Sequence, residues 1–191
     1  QLKGSVPRDG KRDTKFLEDR GYVEEYGCEV VRKYDMGGSS QDEESQNAAV
    51  KALGPHPNVI HILAEGHDEQ GHYWFDTEKL TPLDKIKDFT ELQGTAILAQ
   101  IRAGLRHLHQ GGIAHCDLSP KNILVGKSFG EVVIFDFDFI QAGLGYVTAY
   151  KCDYDPLHPD AMPYAVPVMA SGIATRGFHR IVTHVRNLPF D

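Results

Sequence analysis

A chain of 191 residues, 41% hydrophobic and 25% charged, has the size and balance of one soluble domain or of two small lobes sharing a cleft. Its net charge of −7 argues against a nucleic-acid or anionic-membrane partner. Cys28, Cys116 and Cys152 are odd in number and scattered, with no metal-ligand spacing, so neither a disulfide scaffold nor a zinc site is implied and a reducing compartment is expected.

The first residue is Gln1 rather than Met, which suggests that a start has been removed, and Gln-Leu-Lys-Gly opens no signal-peptide core. No apolar run approaches a membrane span, so a cytoplasmic or nuclear location is expected. Residues 1–20 are polar and mixed in charge and read as loop or frayed edge. Strands are predicted over 21–26 and 28–34 around a turn at Gly27, the second rich in β-formers. After Gly37-Gly38-Ser39-Ser40 comes a predicted helix over 41–53. Ser40 and Glu43 have capping-box spacing there, Gln46, Val50 and Leu53 form one stripe, and Gly54-Pro55 is the stop. Strands over 58–64 and 72–78 flank a turn over 66–71. A long helix is predicted over 91–110, with Ile97, Ile101, Leu105 and Leu108 on its apolar stripe and Gly111-Gly112 closing it. Two short apolar runs follow, Ile123-Leu124-Val125 and Val132-Val133-Ile134-Phe135. The remainder is interrupted by Pro156, Pro159, Pro163, Pro167 and Pro189, with one weak helix over 177–187. Strands, helix, strands and then helices predict an α+β fold.

The chemistry-bearing residues sit around those two apolar runs. The first run is preceded by His115-Cys116-Asp117-Leu118-Ser119-Pro120-Lys121-Asn122, and the second ends in Asp136-Phe137-Asp138. In order, spacing and flanks this resembles the catalytic loop and magnesium-binding motif of protein kinases. Phosphoryl transfer asks mainly for positioning and charge neutralisation, which explains the residue types. By resemblance Asp117 orients the acceptor hydroxyl and takes its proton. Asp136 and Asn122 are oxygen ligands for a hard cation such as Mg2+, and Lys121 reaches the γ-phosphate. Val31-Arg32-Lys33 has the form of the strand that ends in the phosphate-pairing lysine. His56-Pro57-Asn58-Val59 resembles the turn after the regulatory helix. Thr77-Glu78-Lys79-Leu80 resembles the hinge, with Thr77 as gatekeeper and adenine bonded to the backbone near Glu78 and Leu80.

The resemblance implies a bilobal fold. Residues 1–80 form an N-terminal lobe with an antiparallel sheet and one helix, and residues 81–191 a reduced, mostly helical C-terminal lobe. The loop wording is closer to divergent fungal or small-molecule-type kinases than to the well-known Ser/Thr enzymes. Four departures bear on function. No Gly-x-Gly-x-x-Gly precedes Lys33. The helical register places Gln46, not a glutamate, opposite Lys33, and Glu43 reads as a cap. Cys116 stands where an arginine would anchor a phosphorylated loop, so activity independent of such phosphorylation is expected. Asp138 replaces a glycine. Tyr164-Ala165-Val166-Pro167-Val168 and the stretch from Gly177 to Phe190 only loosely match the end of an activation segment and the helix after it. The leading expectation is an ATP- and Mg2+-dependent phosphotransferase of Ser/Thr type. Its acceptor is a hydroxyl on protein, on the chain itself or on a small molecule. A nucleotide-binding pseudokinase is the alternative, and a fragment completed by a partner chain is a third.

Overall fold

Every member of the main buried apolar cluster, from Val50 to Phe137, falls in one of the chain's two compact units. The computed structural model describes residues 15–37, 42–137 and 140–142; the predicted helix over 177–187, Ser40, Asp138 and the stretch from Tyr164 to Val168 lie outside the described residues. The chain forms two compact units, one made of residues up to Glu43 plus Ile62–Lys79, the other of Glu44–His61 plus the chain from Leu80 onward.

The first unit is an antiparallel sheet of β1 (Lys15–Val23), β2 (Cys28–Asp35), β3 (Ile62–His67) and β4 (Tyr73–Glu78), in the order β1-β2-β4-β3. The β1–β2 turn closes at Gly27, whose φ of +69° suits glycine. Residues 15–20 belong to β1 and are not a loop. Their alternation is hidden because the register shifts between Asp19 and Gly21, where the Gly21 amide donates to Asp19 Oδ1 at 3.0 Å. Charges therefore fall on both faces. At the far end Lys79 bonds Asp19 through its side chain and Glu29 through its amide. That partner lowers the Asp19 pKa and raises that of Lys79.

The predicted strand over 58–64 is split between the units. Asn58, Val59 and Ile60 are stitched to β8 (Val132–Ile134) in the second unit, with Ile60 N donating to Ile134 O and Ile134 N to Asn58 O, both at 2.9 Å. Only from Ile62 onward does the run join β3. The run reads as one strand, so the sequence does not show the handover, which falls at the exposed His61.

The core of the second unit forms around α2 (Glu91–Gln110), which matches its predicted range. Thr90 and Gln93 make a reciprocal capping box at its start, and Gly111 and Gly112 end it. Ile97, Ile101, Leu105 and Leu108 are all 1% exposed or less. Each such side chain contributes about 1.5–3 kcal/mol on burial. They pack with Leu83, Leu118, Ile123 and Ile134. A short sheet has the order β5-β7-β8, from β5 (Thr81–Pro82), β7 (Ile123–Val125) and β8; β6 (Ile113–Ala114) pairs with β9 (Gln141–Ala142). Gln100 ties these parts together: its Oε1 accepts from Asn58 Nδ2 and from Val132 N, both at 3.1 Å. Gly104 lets the turn approach, since a Cβ there would lie 2.5 Å from the Asn58 carbonyl oxygen. No helix among the described residues is long and apolar enough to cross a membrane.

The His56 and His107 rings stack at 4.7 Å, and His56 Nδ1 accepts from Asn58 N at 3.1 Å. Burial, and then the His107 charge, lower the His56 pKa from its ordinary 6.5. The unfolded chain therefore binds a proton at a pH where the folded chain does not. This contribution to stability is whole above the ordinary histidine value and is lost as pH falls through the lower folded value. Melting temperature should decline as pH is taken from 7.5 to 5.5. His56→Asn, which keeps an acceptor for Asn58 N, should flatten that slope; an unchanged slope in the variant would exclude His56 as its source.

Candidate active site

Each unit contributes its own group of polar residues. In the first, Lys33 lies on β2 opposite Phe75 of β4 and Leu17 of β1. Its residue is 5% exposed, and Nζ lies 5.6 Å from the centre of the Phe75 ring. A buried ammonium needs a counter-charge, and Lys33 has one: Nζ is 2.6 Å from Glu43 Oε1, with both side chains less than a tenth exposed.

This pair corrects the expectation that Gln46 would stand opposite Lys33 and that Glu43 would cap the helix. Helix α1 spans Glu43–Lys51, so Glu43 is its first residue and not the third, as a capping box from Ser40 requires. The buried positions are Glu43, Asn47 and Val50, spaced i, i+4, i+7, while Gln46 is half-buried. Two members of that stripe are polar, so a search for apolar periodicity passes over it.

Thr77 is buried on β4, beside Val31 of β2, and Glu78 ends the strand opposite Val30. The chain leaves the first unit at Lys79 and enters the second at Leu80, which is half-buried.

In the second unit the β7–β8 hairpin sets the geometry. Its pairs are Ile123–Ile134, Leu124–Val133 and Val125–Val132. The strands are buried on both faces because all six residues are apolar. Beyond Ile123–Ile134, Phe135 N donates to Asn122 O at 2.9 Å. Asn122 and Asp136 thus leave the hairpin at the same end. Asn122 sits in a short 3-10 turn, Pro120–Asn122, and its side-chain amide donates to the Asp117 carbonyl at 2.8 Å and to Asp117 Oδ2 at 3.3 Å. That leaves the Asn122 amide nitrogen committed to the loop and its oxygen as the ligand-type atom. Asp117 and Asp136 are half-buried, and Lys121 is exposed on the turn.

His115, which the sequence reading gave no role of its own, locks the two motifs together. It is 0% exposed; Nε2–H donates to the Phe135 carbonyl at 2.8 Å, and Nδ1 accepts from Asp117 N at 3.2 Å. Those bonds assign its tautomer. Its ring meets Phe137 edge-on at 5.7 Å. Cys116 and Asp136, on either side of this anchor, adopt φ of +65° and +64°. Non-glycine residues hold such conformations at a cost of about 1–3 kcal/mol and do so mainly where the surroundings over-determine them. Cys116 is buried, with Sγ donating to Ala114 O at 3.7 Å.

No group of three or more His, Cys, Asp or Glu among the described residues could hold a metal ion alone. Asn122 and Asp136 leave the hairpin at the same end, and one amide oxygen with one carboxylate is a sparse oxygen set of the kind Mg2+ accepts, since it keeps waters and takes phosphate oxygens for the rest of its shell. Asp117, Asn122 and Asp136 are thus brought to one end of one hairpin, with Lys121 on the turn beside them. Lys33 and Glu78 belong to the other unit.

The family model for the protein kinase domain matches residues 24–146. The chain belongs to the protein kinase family. It is 28% identical over 172 residues to the calcium/calmodulin-dependent protein kinase type 1B of Rattus norvegicus, an alignment covering 83% of this chain and 50% of that protein. It is 32% identical over 126 residues to ribosomal protein S6 kinase alpha-1 of Rattus norvegicus, covering 61% of this chain and 16% of the relative. The ribosomal protein S6 kinase 2 alpha of Gallus gallus is also 32% identical over 126 residues. The chain therefore spans half the length of the first of these relatives and about a sixth of the second.

Proposed function

We propose that the chain is an ATP- and Mg2+-dependent phosphotransferase of Ser/Thr type, which moves the γ-phosphate to a hydroxyl on protein. The observation that carries this reading is the closed loop from Asp117 to Asn122, anchored through His115 to the strand end that carries Asp136. In it Asp117 accepts a hydrogen bond from the acceptor hydroxyl, orients it, and takes its proton late in transfer. Asn122 Oδ1 and the Asp136 carboxylate would hold magnesium, which when bound neutralises phosphate charge. Lys33, ion-paired with Glu43, would pair with the phosphates of ATP, and Lys121 with the transferring group. The backbone near Glu78 and Leu80 would hold adenine, next to Thr77. Residues 1–80 serve as the nucleotide-holding part and residues 81–191 as the part that carries out transfer. A small-molecule acceptor and a partner chain remain within the reading, as does a cytoplasmic or nuclear site of action.

The competing reading is a nucleotide-binding module without turnover. Three sequence features favour it, the absent glycine motif before Lys33, the absent glutamate and the reduced C-terminal lobe. The Lys33–Glu43 pair removes the second. The test is transfer of label from γ-labelled ATP to a mixed protein acceptor, alongside a thermal shift with and without Mg2+. A ligand at 100 times its Kd stabilises by about 2.7 kcal/mol, so binding is easily seen. Magnesium-dependent shift with transfer supports the enzyme; shift without transfer supports the binding module; no shift at millimolar Mg-ATP overturns both.

A further inference from the structure

The sheet of the first unit loses its buried support at the end where the chain leaves it. The register groups side chains into rows on one face. Leu17, Lys33 and Phe75 make one row, and Asp19, Val31 and Thr77 the next. Lys33, Phe75 and Thr77 are each at most 5% exposed. The row beyond is Tyr22, Glu29 and Lys79, with Lys79 N donating to Glu29 O at 2.8 Å, and all three of these residues are exposed. Lys79 stands one residue past the end of β4 and is the last residue of its unit. A terminal backbone bond with no buried side chain behind it opens readily.

One contact spans this end of the sheet. The Lys79 ammonium reaches across β2 to the Asp19 carboxylate on β1. Glu29 stands directly opposite Lys79, yet Asp19 is the partner. The bulge beside Gly21 supplies the reason: the Gly21 amide donates to Asp19 Oδ1 at 3.0 Å, which leaves Oδ2 for Lys79. A short side chain already oriented by a backbone donor loses less freedom on pairing than a longer glutamate would. The contact lies on the face that carries Lys33 and Thr77.

We propose that Asp19 is a positioning residue for the backbone from Glu78 to Leu80: acting through Lys79, it clamps the bond that follows β4. The consequence for nucleotide rests on the proposed function, in which adenine bonds the backbone on either side of Lys79. The clamp itself does not.

Amide hydrogen exchange on the full chain reads the clamp. In Asp19→Asn and in Lys79→Met the residue-79 amide, corrected for intrinsic rates, should exchange about two- to fivefold faster, the range expected of an exposed ion pair. The Phe75 amide of the same strand should keep its rate. The paired side chains are 42% and 57% exposed, so salt should screen them. Salt at about 0.5 M should bring the parent to the variants' rate and leave the variants unchanged. Glu29→Gln should keep the parental rate. A parental rate in either Asp19→Asn or Lys79→Met, or an equal rise in Glu29→Gln, would overturn the proposal. Mg-ATP affinity should fall by the same factor in Asp19→Asn, raising the KM for ATP with kcat unchanged. Mg-tripolyphosphate, which has the phosphates and no base, should bind as it does to the parent. A general loss of structure would weaken both ligands alike. That result, or parental Mg-ATP affinity, would sink the consequence for nucleotide. If the parent binds no Mg-ATP, the kinase reading fails, and the exchange rates still decide the clamp.

Discussion

Asp117→Asn should lower turnover by roughly 100- to 10,000-fold, the usual contribution of a positioned general base, with Mg-ATP affinity nearly intact. The substitution is close to isosteric. Asn122 Nδ2 reaches both the carbonyl and Oδ2 of Asp117, so an asparagine oxygen at that place still accepts. The backbone bond from residue 117 N to His115 Nδ1 involves no side-chain atom of residue 117. What is lost is charge and basicity toward the acceptor hydroxyl. Initial rates with saturating ATP, beside a binding isotherm for Mg-ATP, check both halves of the expectation. Full turnover in the variant of an active parent would remove Asp117 from the mechanism.

Asp136→Asn should cost at least about 100-fold in the magnesium-dependent part of ATP binding. Changing a residue that merely orients a metal ligand costs about 10- to 100-fold in metal affinity, and Asp136 is proposed as the sole charged ligand. Asparagine is the informative replacement because residue 136 has φ of +64°. Asparagine tolerates that left-handed conformation nearly as well as aspartate does, while alanine would add backbone strain to the loss of the ligand. Calorimetric titration with ATP, with and without Mg2+, separates the two contributions. A variant that binds Mg-ATP as the parent does would place the metal elsewhere.

Much of this arrangement could be read from the chain itself where local chemistry and burial agree. Helix α2 was legible to the residue because its apolar stripe is unbroken and its end is two glycines. The loop around Asp117 and the strand end at Asp136 were legible because their polar residues interrupt strongly apolar runs. Glu43 was not, because its stripe on α1 contains Asn47, and buried polar positions leave no hydrophobic signature. Strand β1 was not, because a register shift beside Gly21 scrambles its alternation. The division of 58–64 between two units was not, because the apolar residues on either side of His61 read as one strand. His115 stood in the motif, but only its two hydrogen bonds disclose that it joins one polar segment to the other.

The stitching of Asn58 to β8 has a consequence for synthesis on the ribosome. The Asn58 side chain bonds the Val132 carbonyl, 74 positions further along the chain. At about 5–20 residues per second, the turn that holds Val59 and Ile60 leaves the peptidyl-transferase centre some 4–15 s before its strand partner is made. Throughout that interval the backbone groups of Asn58 and Ile60 lack the strand they pair with, although α2 is made before that strand. Holding chaperones would meet the protein at this turn, and a pause in translation between α2 and β8 would lengthen the time during which they are needed.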